Sequence, residues 1–373
     1  MSQSIEELLG VDTLPKPSRR QNMRFSCLFF SDVRTDISYA EKYRFLGDVT
    51  RFADQTGFEA VYFPERHFHE FGSVFANPAI AAAHLIPQTQ NIRFRTAGVT
   101  IPLHHPAEIV EWWAMNDVLS GGRVDLGFGS GWAKGDFIYA PENFEDRRKI
   151  CSDGIETIKR LWRGETLAFP GPGGDVVDIT VYPRPIQSDL AVWLLITQNE
   201  DAFIHAGKMG YNVFTMLYGT NLENLSQKIA LYRKARQEAG HDPVSGRVTL
   251  TLHTLLLDTM DSVLAAIEVP FRQYIQSSLN AHVNAGAVTG ASADLSDADR
   301  AKVLDYAYQR YVRTGALFGT PDTAKDMVDE VIAADVDEIA CLMDFGADYD
   351  IVRHGFTHLA QLAQHYSSPL LTP

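Results

Sequence analysis

A group of titratable residues follows a short apolar segment early in the chain. The stretch 61–72 reads VYFPERHFHEFG, so Glu65, Arg66, His67 and His69 lie within a few positions of the apolar run. Histidine changes its charge near neutral pH, and a neighbouring charged group can orient its ring. Glu65, Arg66 and His67 are therefore candidate catalytic residues for proton transfer. The alternative is a solvated loop in which these charges pair only with one another.

The spacing of the two histidines also suits a metal ion. In an extended chain His67 and His69 would point to one side, as the ligands of hydrolytic metal sites do. No obvious third and fourth ligands accompany them in the sequence. We therefore expect no metal here and keep a metal hydrolase as an alternative only.

A second candidate segment is rich in glycine. Residues 123–137 read RVDLGFGSGWAKGDF, with alternate glycines from Gly127 to Gly131. The spacing resembles a dinucleotide fingerprint, but it lacks the last glycine step and the later acidic residue. Small residues at the end of a strand would instead let backbone N–H groups approach a phosphate, with Arg147 and Arg148 as candidate cations. A plain turn beside a solvated arginine pair is the alternative.

Small residues also interrupt the segment 92–101. Ala97 and Gly98 would leave a flat space beside the backbone, which suits a planar ring. His104 and His105 follow this segment, directly ahead of a proline. We predict structural roles for these two histidines in a turn that leads into the next helix.

The elements that must position these residues are strands and helices in alternation. Helical periodicity is found, for example, at 38–57, 77–89 and 221–240. Between such segments, short apolar runs predict eight strands, at 24–30, 59–63, 92–101, 123–129, 191–197, 212–217, 247–257 and 337–343. This alternation favours a closed (β/α)₈ TIM barrel over an open doubly wound sheet. Residues just beyond the carboxyl end of a barrel strand face the active site, and Glu65 to His67 occupy such a position.

Two segments are additional to those that a minimal barrel requires. Residues 169–187 are rich in glycine and proline, which predicts a loop or hairpin before strand five. Residues 271–315 follow strand seven and place small residues between two helical patterns. An insertion of that length at the catalytic face predicts either a lid or a disordered surface loop. We expect one barrel domain over 23–367, preceded by a polar arm over 1–22.

Composition limits the partners and the compartment. The chain of 373 residues carries 33 basic and 47 acidic side chains, a net charge of −14, which opposes binding to nucleic acid or to an anionic membrane. Cys27, Cys151 and Cys341 are few and widely spaced, as expected in a reducing compartment. The first residues lack the apolar stretch of a signal peptide. We therefore expect a cytoplasmic protein.

Several motifs, taken together, resemble one family. ERHFHEFG at 65–72 is followed by NPAIAAAH at 77–84, and IPLHHP opens the longer segment 101–137. These motifs, with FGTPDTAKDMVDEVIAADVDEIACLMDFG at 318–346, resemble the bacterial luciferase-like flavin monooxygenases. The subgroup associated with natural-product assembly lines is more similar still, and the likeness extends over 23–365. It implies a TIM barrel that binds FMN at the carboxyl ends of its strands, usually as a homodimer.

The resemblance also implies flavin contacts, residue by residue. The matching positions are Ala97, Gly98, Ser130, Trp132, Arg148, Thr197, Gln198 and Asn199. Ala97–Gly98 matches a position where several members have a cis peptide against the isoalloxazine ring. The other positions match residues beside the flavin phosphate.

Two departures from luciferase itself bear on the chemistry. Arg66 stands where luciferase has the histidine most strongly tied to its reaction, and only His67, aligned with the second histidine, remains. Ser130 replaces an arginine beside the flavin phosphate. Both changes put the luminescent reaction on a long-chain aldehyde in doubt, whereas the assembly-line subgroup carries them.

The resemblance predicts a two-component monooxygenase. A separate flavin reductase would supply reduced FMN, and dioxygen would then oxygenate a small organic or carrier-protein-bound intermediate of natural-product biosynthesis. His67 would pass a proton, with Glu65 or Arg66 holding it in position. The alternatives are a deazaflavin-dependent oxidoreductase and a flavin-binding relative without turnover.

Overall fold

The computed structural model describes residues 22–30, 33–284 and 296–367. The predicted N-terminal arm, apart from Asn22, lies outside the described residues. The centre of the predicted lid, 285–295, lies outside them as well. None of the described helices is both long enough and apolar enough to cross a bilayer.

A closed ring of eight parallel strands forms the centre of the molecule. Its members are β1 (Arg24–Leu28), β2 (Ala60–Pro64), β3 (Arg93–Thr100), β4 (Val124–Gly129), β7 (Val192–Leu195), β8 (Asn212–Met216), β9 (Val248–Leu256) and β11 (Glu338–Leu342). The ring runs in that order, and it closes because β11 pairs with both β9 and β1. The predicted TIM barrel is confirmed, and each of its eight strands corresponds to a predicted one.

Three further strands lie outside the ring. β5 (Leu167–Pro170) and β6 (Val176–Ile179) form an antiparallel hairpin, as predicted for the excursion before strand five. β10 (Ala316–Gly319) was not predicted and pairs in parallel with the last residues of β9. The pairing extends the sheet at the carboxyl end of β9 only.

Helices surround the barrel. They are α1 (Tyr39–Thr56), α2 (Pro78–Leu85), α3 (Pro106–Ser120), α4 (Arg147–Arg163), α5 (Glu200–Lys208), α6 (Leu222–Glu238), α7 (Met260–Asn284), α8 (Asp297–Arg310), α9 (Thr323–Ala333) and α10 (Tyr349–Tyr366). Local sequence defines several ends: Ser38 and Glu41 form a capping box at the start of α1, and Gly57 ends that helix in the left-handed conformation. Helices α7 and α8 occupy most of the predicted lid, whose function stays a prediction.

The barrel interior contains a buried charged network on the side of the strand starts. Arg95 on β3 is 1% exposed, and its guanidinium bonds Asp125 at 2.6 Å and Glu338 at 3.0 Å. Its charge also lies 4.4 Å from the centre of the Trp193 ring. Because each carboxylate meets the same guanidinium, the network joins β3, β4 and β11 across the interior.

Candidate active site

Glu65 contacts both histidines of the site and the backbone of β3. It follows the last residue of β2, and its side chain is only 2% exposed. One carboxylate oxygen accepts the backbone N–H of Thr100 at the end of β3, over 2.7 Å. The other oxygen lies 3.1 Å from Nε2 of His67 and also contacts Nε2 of His104. A buried carboxylate with three donors holds both imidazoles in fixed orientations.

His104 also belongs to this cluster, which the sequence did not predict. It was predicted to have a structural role in a turn, but the structure places it against Glu65, with Glu108 at 3.7 Å from its Nδ1. Its neighbour His105 caps α3 by accepting the backbone N–H of Ala107 through Nδ1, which is a structural role. The signal available in the sequence was position: His104 follows strand three just as Glu65 follows strand two.

The electrostatics favour a charged pair between Glu65 and His104. Burial opposes the charged form of Glu65, but hydrogen bonds from His104 and His67 outweigh it and lower the pKa of the carboxyl. Burial likewise opposes protonation of His104, yet Glu65 raises the pKa of this histidine above its usual value. Because a carboxylate accepts the Nε2–H of His67, a neutral His67 ring keeps its basic lone pair on Nδ1.

Arg66 is buried without enough hydrogen-bond acceptors. It is 4% exposed, and its guanidinium carbon lies 4.3 Å from the centre of the Trp132 ring. The nearest carboxylate, that of Asp136, is 3.6 Å from Nη1, which exceeds hydrogen-bond distance. Neither Nε nor Nη1 has a hydrogen-bond partner among the described residues. Burial lowers the pKa of Arg66, and unpaired buried donors are costly, so a ligand that offers oxygen acceptors would stabilise this site.

The Ala97–Gly98 step is a β-bulge rather than a cis peptide. Phe63 pairs with Thr96 and Pro64 pairs with Gly98, so Ala97 is one extra residue on β3. The peptide bond between Ala97 and Gly98 is trans, because the described residues contain a single cis bond, which lies elsewhere. The expected cis bond was therefore wrong. The bulge itself provides the local displacement of the backbone at the carboxyl end of the strand.

The bulge packs closely against β4. The hydroxyl of Thr96 donates to the carbonyl of Gly127 and accepts its N–H, each over 2.8 Å. A Cβ atom at Gly127 would lie 2.2 Å from the backbone oxygen of Thr96, whereas a Cβ at Gly129 would meet no atom within 4 Å. Gly98 lies beside Leu195 of β7, which is 38% exposed. The backbone at this bulge is therefore in close contact with β4 and with Leu195 of β7.

We expect Gly127→Ala to be destabilising, by about 1–3 kcal/mol, because the new methyl group would displace the backbone of Thr96. The control is Gly129→Ala on the same strand, where the methyl group has room and the change should stay below about 1 kcal/mol. Urea unfolding of the two variants measures the difference. Equal stability of the two variants would contradict the close packing described for the bulge.

The predicted phosphate contacts flank the mouth of the barrel. Ser130 and Trp132 follow β4, and both are partly buried. Thr197 and Gln198 follow β7, and the amide of Gln198 donates to the carbonyl of Tyr218 over 3.0 Å. Asn199 caps α5 and accepts the N–H of Ala202. The amino terminus of α5 therefore lies beyond the end of β7, where backbone N–H groups favour an anion.

The two arginines at the start of α4 have different surroundings. Arg147 donates to the carbonyl of Phe144 over 2.7 Å and lies over its ring, so it is used within the local turn. Arg148 is exposed, and no hydrogen bond or ion pair joins it to another residue of the described ranges. The contact of either arginine with a phosphate stays a prediction, and Arg148 is the one whose guanidinium has no partner within the described ranges.

His69 takes no part in the imidazole cluster. Its Nδ1 accepts the backbone N–H of Phe71 over 3.1 Å. The ligating atoms that converge on a common point belong instead to Glu65, His67 and His104. The extended-chain pair of histidines proposed from spacing is thus not the arrangement that the structure shows.

Two polar residues inside β9 were not predicted. Thr249 bonds the hydroxyl of Tyr62 within the barrel, so Thr251 and His253 lie on the same inner face of the strand, nearer its carboxyl end. The Thr251 hydroxyl and His253 Nε2 are buried without partners among the described residues. Burial lowers the pKa of His253 to about 3, so this ring is neutral. Like Arg66, both residues present unused polar atoms.

A family model for luciferase-like monooxygenases matches residues 23–338. The chain belongs to this family. As a luciferase-like monooxygenase it resembles the oxygenase component of flavin-dependent trigonelline monooxygenase from Acinetobacter baylyi. The two are 25% identical over 340 residues, which cover 88% of this chain and 91% of the relative.

Other relatives match over a shorter stretch. The alkanal monooxygenase alpha chain of Photobacterium leiognathi is 27% identical over 190 residues, covering 51% of this chain and 53% of that protein. The chain of the same name from Photorhabdus luminescens is matched over 60% of its length. This luciferase-like chain thus spans little more than half the length of these relatives.

Solved structures share the fold. Monooxygenase RslO1 from Streptomyces bottropensis superposes with a TM-score of 0.76 at 22% identity, covering 92% of this chain and all 100% of that one. The oxygenating constituent of 3,6-diketocamphane monooxygenase from Pseudomonas putida, solved with FMN, has a TM-score of 0.76 at 17% identity, with 94% and 99% covered. An F420-dependent secondary alcohol dehydrogenase has a TM-score of 0.68 at 14% identity, with 93% and 100% covered.

Proposed function

We propose that this luciferase-like monooxygenase is the oxygenase of a two-component system that uses reduced FMN and dioxygen. The observation that carries the proposal is the set of unpaired donors of Arg66 beside the Glu65–His67–His104 cluster, because these buried donors need a polar ligand at the mouth of the barrel. Reduced FMN would supply the electrons that activate dioxygen. Family membership and the FMN-bound structural relative support the choice of cofactor.

The residues present fit such a cofactor. We propose that the isoalloxazine ring lies against the bulge at Ala97 and Gly98, where the backbone is displaced and carries little side-chain bulk. The phosphate would lie at the amino terminus of α5 and near the start of α4. Its contacts would be Ser130, Trp132, Arg148, Thr197, Gln198 and Asn199. The partial positive charge of a helix terminus and the free guanidinium of Arg148 favour this assignment.

His67 is proposed as the proton carrier. It is buried with its Nε2–H on Glu65, so its Nδ1 is the nitrogen available to take or give a proton at the substrate or the transferred oxygen. Glu65 fixes the ring, and the positive charge of His104 keeps Glu65 ionised. Arg66 would bind an oxygen atom of the cofactor or substrate. Burial of the cluster excludes water from the reacting groups.

The partners follow from the same proposal. A flavin reductase would deliver reduced FMN transiently, which agrees with the trigonelline relative being an oxygenase component. We propose a small organic or carrier-protein-bound substrate in secondary metabolism. A homodimer is also proposed: Ile80 on α2 and Met115 and Leu119 on α3 are each more than half exposed, at 68%, 53% and 62%. Such apolar residues on two contacting helices suit an interface between two copies.

Anaerobic titration with photoreduced FMN tests the proposal, followed by rapid mixing with dioxygen. We expect binding, and then a transient absorbance spectrum that differs from both reduced and oxidised FMN. A protein that does not bind FMN would overturn the proposal.

The second candidate is a deazaflavin-dependent oxidoreductase, because an F420-dependent secondary alcohol dehydrogenase shares the fold. Parallel titration with F420 tests it. Binding with no change in the course of reoxidation would favour a relative without turnover.

Arg66→Gln is expected to weaken FMN binding by about 10- to 100-fold, because a hydrogen bond from a charged donor contributes about 1.5–3 kcal/mol. The variant keeps a polar side chain but loses the charge and three of the five N–H donors. Fluorescence titration with FMN measures the change. Arg163→Gln is the control, since Arg163 is exposed on α4 and, among the residues that the structure describes, pairs only with Asp189. Unchanged affinity in Arg66→Gln would show that Arg66 serves the substrate or the fold instead.

A further inference from the structure

A second group of metal-ligating side chains lies outside the barrel, where α10 packs beside the end of β9. His354 and His358 are four residues apart on α10, so both imidazoles lie on one face of the helix. Asp258 follows β9, and its two carboxylate oxygens lie 3.7 Å from His354 Nε2 and 3.3 Å from His358 Nε2. All three ligating atoms lie within 4.8 Å of one another.

These separations match those of a metal site. Ligand bonds of about 2.0–2.1 Å in a tetrahedron place neighbouring ligand atoms roughly 3.3–3.4 Å apart. The 3.3 Å separation of His358 Nε2 from Asp258 Oδ1 already agrees. His354 Nε2 lies 3.7 Å from the other oxygen, Oδ2, so rotation of the exposed His354 and Asp258 side chains is needed to bring both imidazoles to one ligand oxygen. Imidazole nitrogen with a single carboxylate is a ligand set for zinc, nickel, cobalt or copper rather than for calcium or magnesium.

We propose that Asp258, His354 and His358 bind one divalent transition-metal ion of the zinc type. Three protein ligands leave a fourth position open. His358 and Asp258 also line a polar pocket of about 480 Å³ that includes Thr320 and Lys325, so this position is accessible to water or to an anionic ligand. The sequence alone did not suggest the site, because Asp258 is far from the two histidines along the chain.

The bound ion would join two separate parts of the fold. Asp258 belongs to the link between β9 and α7, whereas the histidines belong to α10 near the end of the described chain. Helix α10 already packs against the end of β9, but at the proposed site the contacts are those of Asp258 with the two histidines, of which His354 is 68% and His358 is 17% exposed. Solvent-exposed pairs contribute little to stability, whereas a ligated ion stabilises the folded state by an amount that grows with the logarithm of its concentration above the dissociation constant.

The site differs from the buried cluster at the barrel mouth, which also contains two histidines and one carboxylate. There Glu65 already accepts the backbone N–H of Thr100, and both of its oxygens are occupied by donors. The carboxylate of Asp258, by contrast, lies open to solvent, and within the part of the chain that the structure describes it pairs with imidazoles only. An ion can enter without displacing backbone hydrogen bonds.

Titration calorimetry of the tag-free full-length protein with zinc chloride, after dialysis against a chelator, tests the proposal. We expect one zinc ion per chain, and at least a tenfold weaker affinity in His354→Gln and in His358→Gln. His84→Gln is the matched control, since His84 is an exposed helical histidine outside the cluster. The melting temperature should rise with zinc in the wild type and in His84→Gln, but not in the double variant His354→Gln/His358→Gln.

His104→Gln separates the two clusters. Zinc binding that survives in His104→Gln and is lost in His358→Gln supports the proposed site. Binding that is lost in His104→Gln and kept in His358→Gln would place the ion at the barrel mouth and overturn the proposal. Absence of zinc binding by the wild type at millimolar zinc would overturn it as well. Because His354 is exposed and His358 is partly exposed, circular dichroism should show that each α10 variant retains the fold.

Discussion

Replacing Arg95 with methionine is expected to lower the free energy of unfolding by about 3–5 kcal/mol, since it leaves the buried carboxylate of Glu338 without its counter-ion and leaves Asp125 with Arg93 alone. Arg95 is 1% exposed and contacts both Asp125 and Glu338, which are 2% and 0% exposed. Methionine fills part of the volume but offers no donor. Urea unfolding followed by circular dichroism at neutral pH measures the loss.

The loss of unfolding free energy in Arg95→Met should depend on pH in a defined direction. Although burial opposes ionisation of Asp125, Arg95 and Arg93 hold the pKa of this carboxyl below its usual value. A lowered pKa contributes stability that is present above the unfolded pKa of about 3.9 and is lost as the pH falls through the folded pKa. In the variant the buried carboxylates gain a proton more readily. The difference in stability between wild type and Arg95→Met should therefore narrow as the pH is lowered towards about 4.

The control for Arg95→Met is a surface arginine. Arg163 pairs with Asp189 at 3.0 Å, and the two side chains are 43% and 59% exposed. Arg163→Met should change the free energy of unfolding by less than about 1 kcal/mol, because water screens an exposed pair. If Arg95→Met cannot be purified, Arg95→Lys keeps the charge and should give a smaller loss. Equal effects of the substitutions at Arg95 and Arg163 would contradict the role assigned to the network.

The barrel was predictable because its signals are local. Each ring strand is a short apolar run bounded by turn residues, and the periodicity of the helices between them is independent of the rest of the chain. Strand β10 was missed because Ala316–Gly319 is only four residues long and follows directly on a helical turn that ends at Gly315. It is a strand only because β9 offers a free edge beside it, and this information is not local.

The candidate site was predictable where position along the chain was sufficient. Glu65, Arg66 and His67 follow a strand directly, and the rule for strand ends places them at the barrel mouth. His104 was assigned to a turn because its partner, Glu65, is 39 positions away and becomes a neighbour only when β2 pairs with β3. Thr251 and His253 lie within β9 and not beyond its end. The rule for strand ends does not apply to residues inside a strand.

The wrong expectation of a cis peptide has a physical explanation. The resemblance implied a cis peptide at Ala97–Gly98, but a similar displacement of the backbone can be produced in more than one way. Here an extra residue on β3 displaces the strand, whereas a cis bond between non-proline residues would cost about 3–4 kcal/mol. The backbone of Thr96, beside the bulge, also approaches Gly127 so closely that only a glycine fits at that position of the adjacent strand.

Glu65→Gln is expected to reduce the rate of oxygenation by about 10²- to 10⁴-fold, the usual contribution of positioned acid–base groups. Glutamine preserves the volume and can still accept the N–H of Thr100, but its amide cannot hold two imidazole donors as the carboxylate does. The ring of His67 would lose its fixed orientation. The readout is product formation from reduced FMN and dioxygen, or the decay of the transient spectrum when the substrate is not known.

The same substitution should change stability in a pH-dependent way. Glu65 raises the pKa of His104, so this pair contributes stability that is fully present below the unfolded histidine pKa of about 6.5. That contribution is lost as the pH rises through the folded pKa of His104. The difference in unfolding free energy between wild type and Glu65→Gln should therefore be larger at about pH 6 than at about pH 9. A difference that grows with pH would contradict the charged pair.

A double variant separates positioning from general damage to the fold. If Glu65 acts on the reaction only by holding His67, then His67→Gln alone and Glu65→Gln/His67→Gln should lose about the same activity, because residues that act as a unit are not additive. His105→Gln is the structural control, since His105 caps α3 without contacting Glu65. It should lower stability by about 1 kcal/mol and leave turnover nearly unchanged. Additive losses in the double variant would mean that Glu65 has a role of its own, through His104 or through direct contact with the substrate.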